Sequence, residues 1–413
     1  MEGKEELSRV ITYSIFSELE KKWLAGRLDS DRVRILCIDG GGLRAIAAGR
    51  ALVHLEQRLR ADSGDDGARI ADYFDVVAGT GIGGVLAAMI VADGGGGRPM
   101  FAAEEAVRTL AEGLGEVFRP EGFFRRGRSG RRFDRFLREV FTRDGRALTL
   151  RDTVKPVLVP CYDLRSGAPF VFSRADAAES ASFDFEMWRV CRATAATPGS
   201  LGPVRLESVD GRTACAAVDG GLVMNNPSAA AVTHVLHNKR DFPSVDGVGD
   251  LLLLSVGCGP VRRSPAAGGA SRRWWRGGVW SKPVVEIVMD GVSDTVDQVI
   301  GNAFSWNRSN YLRIQRSLAV MQANGFLTKD MEAVMEDSST KGAAALMAAG
   351  ERMLKEKAVE SLPFGGKRVL AETNGQLLDK FAHSLVESSR NKLISSPSKL
   401  PGYQCTEEAL QFL

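Results

Sequence analysis

Five short runs in this chain are apolar almost without interruption: residues 34–38, 74–78, 156–161, 215–218 and 251–256. A strand with one wet face alternates apolar and polar side chains, so an unbroken run needs cover on both faces. Helical patterns separate the runs. Between the first two, Ile46, Leu52, Val53, Leu55 and Leu59 recur at helical spacing, with Arg50, Glu56, Gln57 and Arg58 on the other side. The pattern predicts an α/β class, with a mostly parallel central sheet flanked by helices.

At 413 residues there is room for one large α/β domain or two ordinary ones, and 44% hydrophobic with 25% charged residues is the balance of a soluble globular enzyme. The charged start at residues 1–6 fits neither a secretory nor a transit peptide, and no apolar run approaches the roughly 18 residues of a spanning helix. The six cysteines lack C-x-x-C spacing, and several fall in apolar runs. That predicts buried free thiols and a reducing, cytoplasmic compartment. Composition breaks at residues 94–99 and 264–278 read as loops. The expected organisation is an N-terminal helical segment (1–30), an α/β domain (31–262), a basic and aromatic loop (263–281) and a helical C-terminal part (282–413) packed on the core, with helices near 342–357 and 377–392.

Glycine turns close three of the strands. Asp39-Gly40-Gly41-Gly42-Leu43-Arg44-Ala45 opens the crossover helix, where adjacent glycines let N–H groups converge beside the positive end of the helix dipole. Such a turn holds a phosphate or a developing oxyanion. Residues 74–89 read as strand, tight turn and helix, the setting of a G-x-S-x-G elbow, in which a strained bend thrusts a serine hydroxyl into the site. Here Gly79-Thr80-Gly81-Ile82-Gly83 forms the bend, and Gly81 stands where the serine would be. The third strand ends in Asp219-Gly220-Gly221, with the carboxylate at the strand end, where α/β sheets place their ligands.

The first two turns also fit the dinucleotide pattern G-x-G-x-x-G/A, which requires an acid about 20 residues on, at the end of the next strand. After Gly84 that distance falls at Glu104-Glu105, in a helical stretch, and after Gly40 it falls in a loop near residues 62–66. A nucleotide fold would also leave the Asp219 turn without a place.

In this order the three elements resemble the patatin-like lipid acyl hydrolases. In that family D-G-G-G-x-R-G forms the oxyanion hole, G-T-S-T-G-G carries a nucleophilic serine, and D-G-[GA] supplies the aspartate of a Ser-Asp dyad. Segments 160–163, 192–198, 225–227, 254–259 and 310–315 are similar to plant patatin segments, and the resemblance spans roughly residues 10–360. It implies a patatin-like fold and no cofactor or metal. By the same resemblance Gly41 and Gly42 donate to the oxyanion, Arg44 braces that loop, and Asp219 is the general base. Gly40, Gly79, Gly83 and Gly220 support the turns. Ala45 and Ile82 depart from the family's glycine and threonine, and Gly81 from its serine. The combination is similar to a plant subgroup whose elbow reads G-x-G-x-G.

The implied activity is ester hydrolysis of membrane phospholipids, with galactolipids as a further substrate class, weakened by the missing hydroxyl. The alternative is an inactive lipid-binding or scaffolding pseudoenzyme. Thr80 is adjacent, but neighbouring side chains at a tight turn point in different directions. The four histidines lie outside the motifs; His234 and His237, three apart, read as a solvated helix face rather than a metal site.

Two stretches could meet a lipid surface. Residues 119–138 interleave arginines with Phe123, Phe124, Phe133 and Phe136, which reads first as an amphipathic helix burying its rings. Arg272-Arg273-Trp274-Trp275-Arg276 stands in a Gly/Ser-rich loop, so Trp274, Trp275 and Arg273 are expected to make peripheral membrane contact. A net charge of +3 gives no ground for a nucleic-acid partner.

Overall fold

The computed structural model describes residues 32–118, 128–198, 200–259, 281–316, 340–362 and 366–395. Its centre is an eight-stranded mixed sheet. Five strands run parallel in the order β8 (Tyr311–Ile314), β7 (Leu251–Val256), β1 (Val33–Ile38), β2 (Val76–Gly79) and β3 (Val157–Asp163). β4 (Ala168–Ser173) and β6 (Ala214–Asp219) lie antiparallel to β3, and β5 (Val204–Glu207) pairs with β6.

The unbroken apolar runs are explained by cover on both faces. Along β1, Leu36 and Ile38 join one buried cluster while Ile35 and Cys37 join another, as the two-residue repeat of a strand requires. The larger cluster lies under α1 (Ala45–Ser63), α2 (Gly81–Val91), α3 (Ala103–Val117) and α4 (Arg128–Val140). The smaller lies under α6 (Ser228–His237) and α7 (Ser281–Ala303), while α5 (Met187–Thr194) packs beside α2 and α4. Every residue of α2 is buried, so its sequence is apolar around the whole helix instead of amphipathic.

Beyond α7 the chain is not only helical. β8 is added to the sheet edge beside β7, and a hairpin of β9 (Lys357–Leu362) and β10 (Gly366–Thr373) stands between α8 (Thr340–Lys355) and α9 (Asn374–Ser395). Helices α8 and α9 both pack on α1. The five cysteines among the described residues are buried free thiols. No helix among the described residues is long and apolar enough to cross a membrane.

A candidate active site at the ends of β1, β2 and β6

Strand β3 changes neighbour partway along. Its first residues pair with β2 (Val77 with Val157, Ala78 with Leu158), and its last pair with β6, Cys161 opposite Asp219. The end of β6 therefore arrives where β2 stops at Gly79. β6 runs antiparallel to β3, so Asp219 reaches the site from a strand outside the parallel set, a topology the glycine turn alone does not reveal.

Gly81 has φ +56°, a conformation open to glycine and strained for most other residues. Its N–H donates to Thr194 Oγ1 at 2.9 Å. A β-carbon there would lie 3.7 Å from Gly40 Cα and 3.8 Å from Asp219 Oδ1, ordinary contact distances. The fold therefore leaves room at Gly81 for a side chain that glycine does not fill. Thr80 does not fill it, since its hydroxyl donates to the Met224 carbonyl at 2.6 Å.

Asp219 is 2% exposed, and both its oxygens accept hydrogen bonds. The Thr197 hydroxyl donates to Oδ2 at 2.5 Å, and the Gly221 N–H donates to Oδ1 at 2.8 Å. Burial raises its pKa above the ordinary carboxylate value, and these two bonds oppose the rise. The Gly220 N–H is bound to the Thr194 carbonyl at 3.1 Å, so the end of α5 touches both the aspartate turn and the elbow.

The first glycine turn lies against these groups. The Gly40 N–H donates to the Asn225 carbonyl at 2.8 Å, and Arg44 donates to the Gly259 carbonyl beyond β7. Among the described residues, the N–H groups of Gly41 and Gly42 donate to no other backbone group. A β-carbon on Gly41 would stand 2.4 Å from Cys258 Cβ, so the loop approaches β7 too closely for any larger residue. Burial pushes the Cys258 thiol up to about 12, and its Sγ–H donates to the Asp39 carbonyl at 3.3 Å. Gly83 belongs to the same tight packing; a β-carbon on it would lie 2.2 Å from the Asp39 carbonyl oxygen.

Asp39 carries the least expected interaction. Arg313 of β8 donates Nη1 to Oδ1 at 2.8 Å and Nη2 to Oδ2 at 2.5 Å, and Ser293 of α7 adds a third bond at 2.9 Å. The two charged side chains are 6% and 3% exposed. Burial drives the Asp39 pKa upward and the Arg313 charge opposes it. Sequence reasoning cited Asp39 for its turn and residues 310–315 for their likeness, but missed the pairing. Its signal is a lone arginine within an otherwise uncharged strand, Tyr311-Leu312-Arg313-Ile314. Thr194 and Thr197 fall in segment 192–198, whose sequence likeness assigns them no role.

Other expected residues stand apart. Phe133 of α4 is fully buried, as an amphipathic helix requires. Phe123, Phe124, Arg273, Trp274 and Trp275 lie outside the described residues. No group of three or more His, Cys, Asp or Glu side chains suited to a metal occurs among the described residues.

The family described as Patatin-like phospholipase matches residues 36–232, which include all three glycine turns. An Arabidopsis thaliana protein named "Probable inactive patatin-like protein 9" is 54% identical, covering 95% of this chain and 96% of its own. Patatin-like protein 6 of the same plant is 47% identical over 86% of this chain and 71% of its own. Patatin-like protein 3 of Oryza sativa is 41% identical, covering 94% of each.

Proposed function

Because the chain belongs to the patatin-like family, we propose that it binds acyl lipids at the Gly81–Asp219 site and hydrolyses their esters slowly, with water as the nucleophile. The observation that carries this reading is the retained space at Gly81, with Asp219 Oδ1 3.8 Å from where a β-carbon would be. Water in that space gives a proton to Asp219 as its oxygen bonds to the ester carbonyl carbon. The carbonyl oxygen becomes an oxyanion held by the N–H groups of Gly41 and Gly42. Collapse breaks the ester C–O bond, and the departing alcohol takes the proton back from Asp219, leaving a fatty acid.

An acyl-transfer site without its nucleophile retains about 10³–10⁴ over the uncatalysed rate, from oxyanion stabilisation and binding. Turnover is therefore slow and forms no acyl-enzyme. The substrates of this reading are phospholipids and galactolipids, met at a membrane from the cytoplasmic side. Arg44 braces the oxyanion turn through Gly259, and Gly40, Gly79, Gly83 and Gly220 let the turns approach one another.

A second reading is a lipid-binding pseudoenzyme with no turnover. The absent hydroxyl favours it, as does the word "inactive" in the name of the Arabidopsis relative. Fatty-acid release from defined phospholipid and galactolipid vesicles separates the two, measured for the native protein and Asp219→Ala. Slow release that Asp219→Ala abolishes supports hydrolysis. Equal, background release from both, with lipid still bound, supports the pseudoenzyme. A covalent adduct of the native protein with a fluorophosphonate at the site would overturn the water mechanism.

A further inference from the structure

A cavity of about 620 Å³ opens beside the edge strand β8, and neither Gly81 nor Asp219 lines it. Most of its lining comes from α7, β8, the β9–β10 hairpin and α9, which follow the patatin match, with Arg32 and with Leu252 of β7 completing the wall. Its size falls within the 300–1,000 Å³ range of small-molecule sites, roughly. Leu252, Phe304, Ala358 and Phe381 contribute buried apolar walls. In those walls Asp297 accepts from the Tyr311 hydroxyl at 2.7 Å and from the Ser361 hydroxyl. Between these polar groups the walls offer apolar contact.

The rim is different. Arg308 and Arg368 both line the cavity and both pair with one carboxylate, Glu360, Arg308 at 3.2 Å to Oε1 and Arg368 at 2.9 Å from its Nε to Oε2. Two guanidinium groups share a single negative charge. That trio carries a surplus of one positive charge at the rim, while Asp297 and Glu387 line other parts of the cavity, and the two arginines are 61% and 49% exposed. An anion seated there would complete the balance, and guanidinium is suited to a carboxylate or phosphate fork.

We infer that this cavity binds a single-chain amphiphile with an anionic head, a long-chain carboxylate, its alkyl chain along Phe304 and Phe381 and its head between Arg308 and Arg368. The site stands whether or not Gly81 supports ester turnover, because none of its residues belongs to the Gly81–Asp219 site. It does share a side chain with the network behind that site: Arg313 lines the cavity and holds Asp39.

Gly301 of α7 gives a direct test. It lines the cavity, and a β-carbon on it would meet nothing closer than 3.9 Å, so Gly301→Leu fills the hollow without disturbing the helix. Palmitate binding is measured by calorimetry on the full chain, with thermal melting as the folding control. The native protein is expected to bind palmitate saturably, one per chain. Gly301→Leu should weaken binding by roughly tenfold or more with melting unchanged, and Asp219→Ala should leave it as it was. Arg308→Gln leaves Glu360 matched one to one with Arg368. It should weaken palmitate by roughly tenfold while uncharged hexadecanol binds as before. Lysophosphatidate, with a phosphate head, distinguishes the two anionic sources. Palmitate binding that survives Gly301→Leu, or that Asp219→Ala abolishes, assigns the fatty acid to the Gly81 site and overturns the inference. So does a folded native protein that binds no palmitate.

Discussion

Asp219 Oδ1 lies 3.8 Å from the position that a β-carbon on Gly81 would occupy, and the nearest atom from another part of the chain is Gly40 Cα at 3.7 Å. The distance is short enough for a serine hydroxyl on that carbon to reach the carboxylate, and long enough that the carbon clashes with nothing.

Gly81→Ser is therefore expected to restore a Ser-Asp pair. The cost is backbone strain at φ +56°, about 1–3 kcal/mol. Turnover should rise by roughly 10²-fold or more, the contribution of a positioned base acting on a bound nucleophile. The variant should also label with a fluorophosphonate, which the native protein should not. Release assays with intact-mass spectrometry check both outcomes. A folded, unlabelled and inactive variant would show that the retained space is not a nucleophile's.

Any turnover by the native protein should rise with pH as Asp219 ionises, with a midpoint above the ordinary aspartate value because burial favours the neutral acid. Thr197→Val removes a hydrogen bond that favours the charged form, so it should move the midpoint higher. Stability runs the other way. With the folded pKa raised, the native state holds the proton over a range in which the unfolded chain has lost it. Asp219's contribution is thus full below the unfolded value and lost as pH rises through the folded one. Denaturant titrations across that window should show a falling limb that Asp219→Asn flattens.

The Asp39–Arg313 pair is buried, so removing one partner strands a charge. Arg313→Met is expected to cost about 3–5 kcal/mol in urea unfolding. The double change Asp39→Asn with Arg313→Met should recover most of that loss, since no uncompensated charge remains. If the two single losses merely added, the bond would not be the link that joins β8 to the glycine turn.

Two helical glycines should respond oppositely to alanine. Gly291 of α7 has nothing within 4 Å of its would-be β-carbon, so Gly291→Ala should stabilise the chain by about 0.8–1 kcal/mol through helix propensity. Gly83 of α2 faces the Asp39 carbonyl oxygen at 2.2 Å, so Gly83→Ala must push α2 away from β1. Its loss should exceed about 4 kcal/mol, the range of severe core disruption. Paired melting curves decide.

The three glycine turns were legible because each is local: a strand, a bend and a helix start lie within about a dozen consecutive residues, and their order carries the family likeness. The α/β class followed from unbroken apolar runs for the same reason. What escaped was assembled over distance. Arg313 and Asp39 are 274 positions apart. β8 has only four residues and breaks its apolar pattern with that arginine, so no run announces it. The β9–β10 hairpin is dense in charge, with Lys367, Arg368 and Glu372 in one strand, and reads as surface rather than sheet. Nor could a turn motif reveal that β6 runs antiparallel to β3, because direction depends on which strand it joins.

The pairing of β8 with β7 also bears on how a gene for such a protein could be shortened. A product that stopped after β7 would keep every residue of the glycine turns and Asp219. Yet it would expose the flank of β7 as an unpaired edge and leave Asp39 without either Arg313 or Ser293. The segment holding the motifs thus draws the partners of its first turn from chain that lies beyond it.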